Sequence, residues 1–182
     1  KSEINLIGNH NLSNIKAAIE VVRLFNVSDN IIKKAVNNFK GLPHRLEYIG
    51  EFKGIKFYDD AISTTPESTI AAIKTLSNIA TIFLGGEDRG YNFNELEKVL
   101  RKSNIKNIVL FPDSGRRILK SQKGFKILET NNMKEAVDFA FKNTPRGKIC
   151  LLSMASPSYS LWKNFEEKGD SFKFFVKKYG KF

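Results

Sequence analysis

Residues 55–86, "IKFYDDAISTTPESTIAAIKTLSNIATIFLGG", decide the fold. An alternating apolar run ends in Asp59 and Asp60, and a string of hydroxyl residues follows. Pro66 then stands where a first helical residue tolerates the loss of its N–H, with Thr65 before it as N-cap. Apolar residues at helical spacing carry the pattern to about residue 77, and "IATIFLGG" is a continuous apolar run too short for a helix. Strand, helix, buried strand is the signature of a crossover unit in a parallel sheet covered on both faces.

The same grammar extends in both directions. Upstream, "HRLEYIGEFKGIKFYDD" alternates around Lys53-Gly54, which predicts a β-hairpin. Downstream, the pattern predicts a helix over 94–102, a strand in "KNIVLF", a helix over 113–121 and a short strand in "FKIL". A helix over 132–143, a strand in "GKICLLS" and a long last helix from about Ser158 complete it. The expected domain is α/β: a Rossmann-like, mostly parallel sheet with helices on both faces and an initial β-hairpin. Ahead of it lie two amphipathic segments, "NLSNIKAAIEVVRLF", with Leu12, Ile15, Ile19, Val22 and Phe25 at helical spacing, and "VSDNIIKKAVNNF", capped by Ser28 or Asp29. Gly41 and Pro43 mark the boundary between the helical piece and the α/β domain. The opening "KSEINLIGNHN" resembles a strand end entering a helix, so the chain is expected to be part of a longer one.

Composition narrows the class. The 182 residues are 41% hydrophobic and 12% aromatic, enough to bury a core. No apolar run has membrane-spanning length, so no membrane insertion is expected. Cys150, the single cysteine, has no partner for an internal disulfide and reads as a core residue; a reducing, cytoplasmic location is the expectation. The net charge of +11 comes mostly from dispersed lysines without a nucleic-acid-binding module, and no nucleic-acid partner is expected. The densest basic stretch, "FKFFVKKYGKF", reads as a solvated helix face with phenylalanines turned inward. Two distant histidines and one cysteine do not make a zinc site, and the phosphate-cradling G-x-x-x-x-G-K-[ST] occurs nowhere in the sequence.

In a sheet of this kind, ligands sit beyond the carboxyl ends of the strands. Four polar loops fall at such positions or at the boundary. The first is the Asp59–Ser68 stretch: one cap needs one hydroxyl, whereas a helix N-terminus beside several hydroxyls also suits a carboxylate or phosphate. The second is "FLGGEDRGYNF", where paired glycines permit close backbone approach and Arg89 offers a forked donor. The third is "LLSMASPSYSLWKNFEEKGDSF", in which Ser158 is a candidate helix cap and Tyr159 and Phe165 candidate pocket walls. Trp162, Phe165 and Phe172 also read as core at helical spacing. The fourth is "GLPHRLE", which places His44 and Arg45 at the boundary. Pattern alone leaves capping and ligand binding both open in each.

Taken in order, these stretches resemble the Mur ligase family. "GNHNLSNIKAAI" is similar to the G-x-H-N-x-x-N-x-x-A-A segment near the end of that family's central ATPase domain. "GLPHRLEYIGEFKGIKFYDDAISTTPESTIAAI" is similar to the start of its C-terminal domain, and "LGGEDRG" and "SPSYSLWKNFEEKGDSF" to its glycine loop and terminal signature. The resemblance implies that residues 1–41 are the tail of the central domain and 42–182 the C-terminal glutamate-binding domain. It implies an ATP-dependent, amide-forming ligase that adds glutamate to UDP-N-acetylmuramoyl-L-alanine through an acyl phosphate, in peptidoglycan precursor synthesis. Mg2+ would be bound mainly by the rest of the central domain, and a monomer is the expected state. These residues alone, without a P-loop, are not expected to catalyse.

Residue by residue, the resemblance assigns Asn11 and Asn14 to the nucleotide, His44 and Arg45 to its adenine and phosphates, and Asp60 to the ribose. Thr64, Arg89, Ser158, Tyr159 and Phe165 fall where the incoming glutamate is held. Two departures stand out. Many D-glutamate-adding members read "NDSKATN" where this chain reads "DDAISTT", so Ile62 replaces a lysine, and Arg89 replaces a lysine in the glycine loop. D-glutamate is the leading reading, with L-glutamate or another amide ligase of the same fold as the alternative. Outside the enzyme class, the alternative is a non-catalytic nucleotide-binding or basic interaction module.

Overall fold

The computed structural model describes residues 6–181; the strand end read at the start of the chain falls on residues 1–5, outside the described residues. The chain divides into two compact units, Lys1–Pro43 and His44–Phe182.

The first unit is a helix pair. α1 (Asn9–Arg23) and α2 (Asp29–Asn38) are joined by a turn in which Arg23 reaches Glu20 at 3.4 Å and Asp29 at 3.2 Å. Ser28 is the N-cap residue of α2, and Gly41, beyond the end of α2, takes φ +91°, a value that glycine adopts without a Cβ penalty. Of the expected stripe on α1, Ile15, Ile19 and Val22 are half-buried, while Leu12 is exposed and Phe25 lies beyond the helix end and is 75% exposed.

The second unit is built on a six-stranded sheet in the order β1-β2-β6-β3-β4-β5. β1 (Glu47–Phe52) and β2 (Ile55–Asp59) form the antiparallel hairpin, with Lys53 and Gly54 both at positive φ in its two-residue turn. The chain then crosses through α3 (Pro66–Thr75) to the central strand β3 (Ile79–Gly85). α4 (Asn94–Lys102), β4 (Asn107–Phe111), α5 (Gly115–Ile118) and β5 (Lys126–Glu129) follow. α6 (Met133–Asn143), β6 (Ile149–Leu152) and α7 (Phe165–Gly180) complete the unit. Every pairing other than β1 with β2 is parallel.

The alternation of strand side chains sorts the core onto two faces. Ile82, Leu84, Ile108, Leu110 and Leu151 point to one face, where they meet Ala72 and Ile73 of α3, Leu96 and Leu100 of α4 and Ile118 of α5. Phe57, Phe83, Val109, Phe111, Cys150 and Leu152 point to the other, against Ala136, Val137 and Ala140 of α6 and Phe172 and Val176 of α7. Phe172 lies edge-on to Phe83 at 5.4 Å and 6.2 Å from Phe57, so one ring joins α7 to two strands.

Three expectations are corrected. The helix expected over 113–121 shrinks to four residues, because the Lys120 N–H donates to Glu97 and the Ser121 carbonyl accepts from Arg101, which removes both from helical pairing. α7 starts at Phe165 rather than near Ser158: Asn164 accepts from the Glu167 N–H at 2.9 Å, and Glu167 in turn accepts from the N–H of Lys163, the residue before the cap, at 2.6 Å. Of the C-terminal phenylalanines, Phe172 is buried and Phe175 packs on the core, but Phe174 is 58% exposed.

Phe172→Ala is expected to lower unfolding stability by about 3–5 kcal/mol through the cavity it leaves. Phe174→Ala should stay within about 0.5 kcal/mol of the parent. Urea midpoints followed by circular dichroism check both values.

Candidate functional site at the strand ends

Within the second unit, the carboxyl ends of β2, β3, β4 and β6 gather four loops. The first follows β2. Asp59 and Asp60 are both buried, at 0% and 3% exposure, yet every oxygen finds a donor. Asp59 accepts from the Ala61 N–H at 2.9 Å and faces His44 Nδ1 at 2.8 Å. Asp60 accepts from the Leu46 N–H at 3.2 Å, Ser63 Oγ at 2.5 Å and Ser153 Oγ at 2.8 Å, which ties the loop before β1 and the end of β6 to the end of β2. Burial dominates both acids: it raises the Asp59 carboxyl against its hydrogen bonds to His44 and Ala61, and lifts Asp60 from the usual 3.8 to about 6.

His44 reaches this cluster through a strained approach. It takes φ +61° and Leu46 φ +46°, left-handed values that are uncommon away from glycine. The His44 N–H is held by Glu47 Oε2 at 2.8 Å, as that of Leu46 is by Asp60. The imidazole is 5% exposed and stands edge-on to Phe165 at 5.9 Å. Helix α7 closes the back of the ring. A Cβ at Gly169 would lie 2.2 Å from His44 Nδ1 and 2.6 Å from Asp59 Oδ2, so no side chain fits there. Lys173 adds an ammonium 3.2 Å from Glu47, 3.3 Å from Asp170 and 3.9 Å from Asp59. Donor atoms of His44, Glu47 and Asp59 all lie within 4.8 Å of one another, and this ammonium pairs with the two carboxylates of the trio.

α3 opens the same loop toward its hydroxyls. Thr65 caps it reciprocally with Ser68, and Thr69 bonds Ser153 Oγ at 3.0 Å, anchoring the helix to the end of β6. Thr64 sits half-buried just before the cap.

The glycine loop after β3 is the tightest crossing. A Cβ at Gly85 would fall 2.1 Å from the Phe111 carbonyl oxygen, and one at Gly86 2.2 Å from that of Pro157. The absent side chains let the Gly86 carbonyl accept from the Asp113 and Ser114 N–H groups at 2.7 and 2.8 Å, while the Glu87 N–H donates to Pro157 O at 2.9 Å. Ser114 and Ser156 hydroxyls meet at 2.7 Å. Three loops are thereby fastened together. Beyond them, the Arg89 guanidinium lies 5.9 Å from the centre of the Tyr159 ring and bonds Glu87 at 2.8 Å. Arg89 and Tyr159 are exposed, whereas the neighbouring Ser158 is 3% exposed and its Oγ has no hydrogen-bond partner.

The structure thus brings Arg89, Ser158 and Tyr159 into one group, and His44, Asp60 and Phe165 into another. Arg45 is exposed, and in the first unit Asn11 Nδ2 donates to the Ile7 carbonyl at 2.7 Å with Asn14 3.5 Å from Asn11. Asn164, and not Ser158, caps α7. Sequence reading missed Lys168, Gly169 and Lys173, which form the inner face of α7. The spacing from Phe165 through Phe172 marks that face as inward, and Lys168 and Gly169 fall within it.

The fold and these loops define an α/β ligand-binding domain whose site is assembled beyond the carboxyl ends of its parallel strands. The Mur ligase, glutamate ligase domain matches residues 44–155, most of the second unit, and the chain belongs to that family. It is 34% identical to the UDP-N-acetylmuramoylalanine--D-glutamate ligase of Thermoanaerobacter sp. (strain X514), over 94% of this chain and 38% of the relative. The ligase of the same name from Enterococcus hirae is 35% identical, again over 94% of this chain and 38% of its own length. The chain therefore spans less than two fifths of the relatives it matches. In fold it is similar to the MurF ligase of Thermotoga maritima in complex with ADP, with TM-score 0.68 and 18% identity over 94% of this chain and 40% of that one. MurC from Thermotoga maritima gives TM-score 0.66 and 20% identity over 96% and 38%.

The raised acids set a pH dependence. A carboxyl that binds its proton more tightly when folded contributes stability that is fully present below its unfolded value and lost as pH rises through the folded one. Between the usual 3.8 and about 6, stability should therefore fall through Asp60 by up to about 3 kcal/mol, with Asp59 acting in the same direction. In Asp60→Asn, urea unfolding across this window should show a flatter decline.

Proposed function

We propose that this chain is the amino-acid-receiving part of an ATP-dependent ligase that joins D-glutamate to UDP-N-acetylmuramoyl-L-alanine. The observation that carries this reading is the grouping of Arg89 and Tyr159 at 5.9 Å beside a buried Ser158 hydroxyl with no protein partner. A buried, unpaired hydroxyl costs about 1–3 kcal/mol, and a ligand oxygen is a natural way to recover it. A guanidinium fork binds a carboxylate through paired N–H donors, so Arg89 holds the glutamate side chain while Tyr159 flanks it. Thr64, at the mouth of α3, is assigned to the same substrate, and so is Phe165, at the start of α7, whose ring stands edge-on to His44 and so borders the nucleotide side as well. The curated relatives, by their names, act on UDP-N-acetylmuramoylalanine and D-glutamate.

The nucleotide occupies the His44 side. His44 and Arg45 face its adenine and phosphates, and Asp60, held by three protein donors, lies under its ribose. Asn11 and Asn14 are assigned to nucleotide binding in the central-domain tail, residues 1–41, with 42–182 as the glutamate domain. Mg2+ enters as part of the nucleotide substrate, and no residue of this chain is assigned to it. Acyl-phosphate formation requires a phosphate-binding loop, and these 182 residues contain none; their contribution is to place the attacking amine, which can be worth several kcal/mol of barrier. The setting is cytoplasmic peptidoglycan precursor synthesis by a monomer; no helix among the described residues is long and apolar enough to cross a membrane.

The test is a ligation assay on the full-length enzyme with ATP, Mg2+ and UDP-N-acetylmuramoyl-L-alanine, offering D- and L-glutamate separately. Turnover with D-glutamate is expected, and turnover with L-glutamate alone would reassign the stereochemistry. Arg89→Ala should raise KM for glutamate by about 10- to 100-fold, the scale of losing a charge-assisted pair, and leave KM for ATP within about twofold. Ser158→Ala should weaken glutamate use while leaving stability unchanged or raised by about 1 kcal/mol, since it removes a polar atom with no partner. Loss of stability together with unchanged kinetics would overturn its assigned role.

A further inference from the structure

Lys168 lies on the inner face of α7, is 0% exposed, and its Nζ makes no hydrogen bond to the protein. A lysine buried to that degree is rare unless an opposite charge accompanies it. The residue after it, Gly169, touches His44 and Asp59 so closely that no Cβ fits, which sets this turn of the helix directly behind the acid pair. Asp59 and Asp60 are the charges that favour the protonated amine. On the outer side of the cluster, Lys173 is shared among Glu47, Asp170 and Asp59, and Asp170 stands 3.8 Å from His44 Nε2. No cation of the described residues forms an ion pair with Asp60, whose donors are two hydroxyls and one backbone N–H, all neutral; Lys168 is the enclosed cation on which both acids act, at longer range than a salt bridge.

We propose that Lys168 is a positioning residue: its buried ammonium keeps Asp59 and Asp60 ionised side by side, and through them fixes the His44 imidazole and the Leu46–Ser63–Ser153 tie. Two adjacent buried carboxylates repel one another, and one would take up a proton unless a cation offsets the repulsion. A protonated Asp60 offers a donor where it otherwise accepts, so its bonds to Ser63, Ser153 and the Leu46 N–H would rearrange. The amine bears the cost of this placement. Burial draws it from 10.5 to about 7, and the two acids hold it from falling further. The assignment to the nucleotide side rests on the function proposed above; the assignment to the acid pair does not.

Carbon-detected NMR titration of the aspartate carboxyls in this chain tests it. In the parent, Asp60 should titrate at about 6. Lys168→Met should move that midpoint up by about one unit or more, a tenfold loss of ionisation at a given pH, whereas Lys168→Arg should return it close to the parent value. Lys177→Met, which removes an exposed cation of the same helix, should leave it unmoved. An unchanged Asp60 midpoint in Lys168→Met overturns the proposal. If that variant does not fold, titration of the Lys168 amine in the parent decides: the proposal requires a charged amine at about pH 6, and an amine already neutral there overturns it. In the full-length ligase, Lys168→Met should raise KM for ATP about 10-fold with KM for glutamate within about twofold, and Lys168→Arg should rescue it. A shifted Asp60 midpoint with unchanged KM for ATP would uphold the acid-pair role and refute the nucleotide-side reading of His44.

Discussion

The second unit is organised around the burial of two consecutive carboxylates at the end of one strand. Asp59 and Asp60 point to opposite sides of the chain, as neighbours in an extended segment must. Each therefore recruits a different part of the domain. Asp59 fixes His44 and the turn at Ala61, while Asp60 gathers Leu46, Ser63 and Ser153. Removing such acids from water is costly, and that cost makes the arrangement specific: a displaced loop would leave a buried charge without donors. The left-handed backbone at His44 and Leu46 follows from the same requirement, because the N–H groups there are aimed at carboxylates and away from strand partners.

The other half of the site is built by subtraction. Gly85, Gly86 and Gly169 lie where a methyl group would enter a carbonyl oxygen, an imidazole or a carboxylate. The glycine pair lets the β3, β4 and β6 loops share backbone hydrogen bonds, so Arg89 and Tyr159, seventy positions apart in the chain, meet on a fixed base. Gly169 lets α7 approach His44 while the same helix delivers Phe172 to the core. Packing and site geometry are therefore coupled through one helix: the aromatic contacts of Phe172 with Phe57 and Phe83 hold Gly169 against His44 and Asp59.

The legible part of this fold is the part written in local patterns. The Lys53-Gly54 turn, the Thr65-Pro66 helix start and the apolar runs at 79–85 and 149–152 carry period and turn chemistry that few alternatives satisfy. The gathering of polar loops at strand ends follows from the α/β pattern, which is why Arg89, Ser158, Tyr159, His44 and Asp60 were nameable as candidates. What stayed hidden depends on contacts distant in sequence. The short α5 is set by Arg101 and Glu97, some twenty residues away. The late start of α7 depends on whether Ser158 or Asn164 captures the first free N–H groups, and both are good caps on residue type alone. Lys168 and Lys173 look like ordinary surface lysines, since sequence states charge but not enclosure.

The two side-chain atoms that are buried without a hydrogen bond, Ser158 Oγ and Lys168 Nζ, lie on either side of the start of α7, among the described residues. Native domains satisfy nearly all such groups, so exceptions need a physical reason. The two differ in kind. In the proposal for Lys168, the two acids offset the burial of its ammonium, so the recovery lies inside the fold. Ser158 is neutral and adjoins Tyr159, which meets Arg89, and in the function proposed above its partner is an oxygen of the incoming glutamate. On these two proposals, one unpaired polar atom serves the architecture and the other an incoming molecule, and the two demands are separated along a single segment. The helix start between them, capped by Asn164 and Glu167, keeps each in its place.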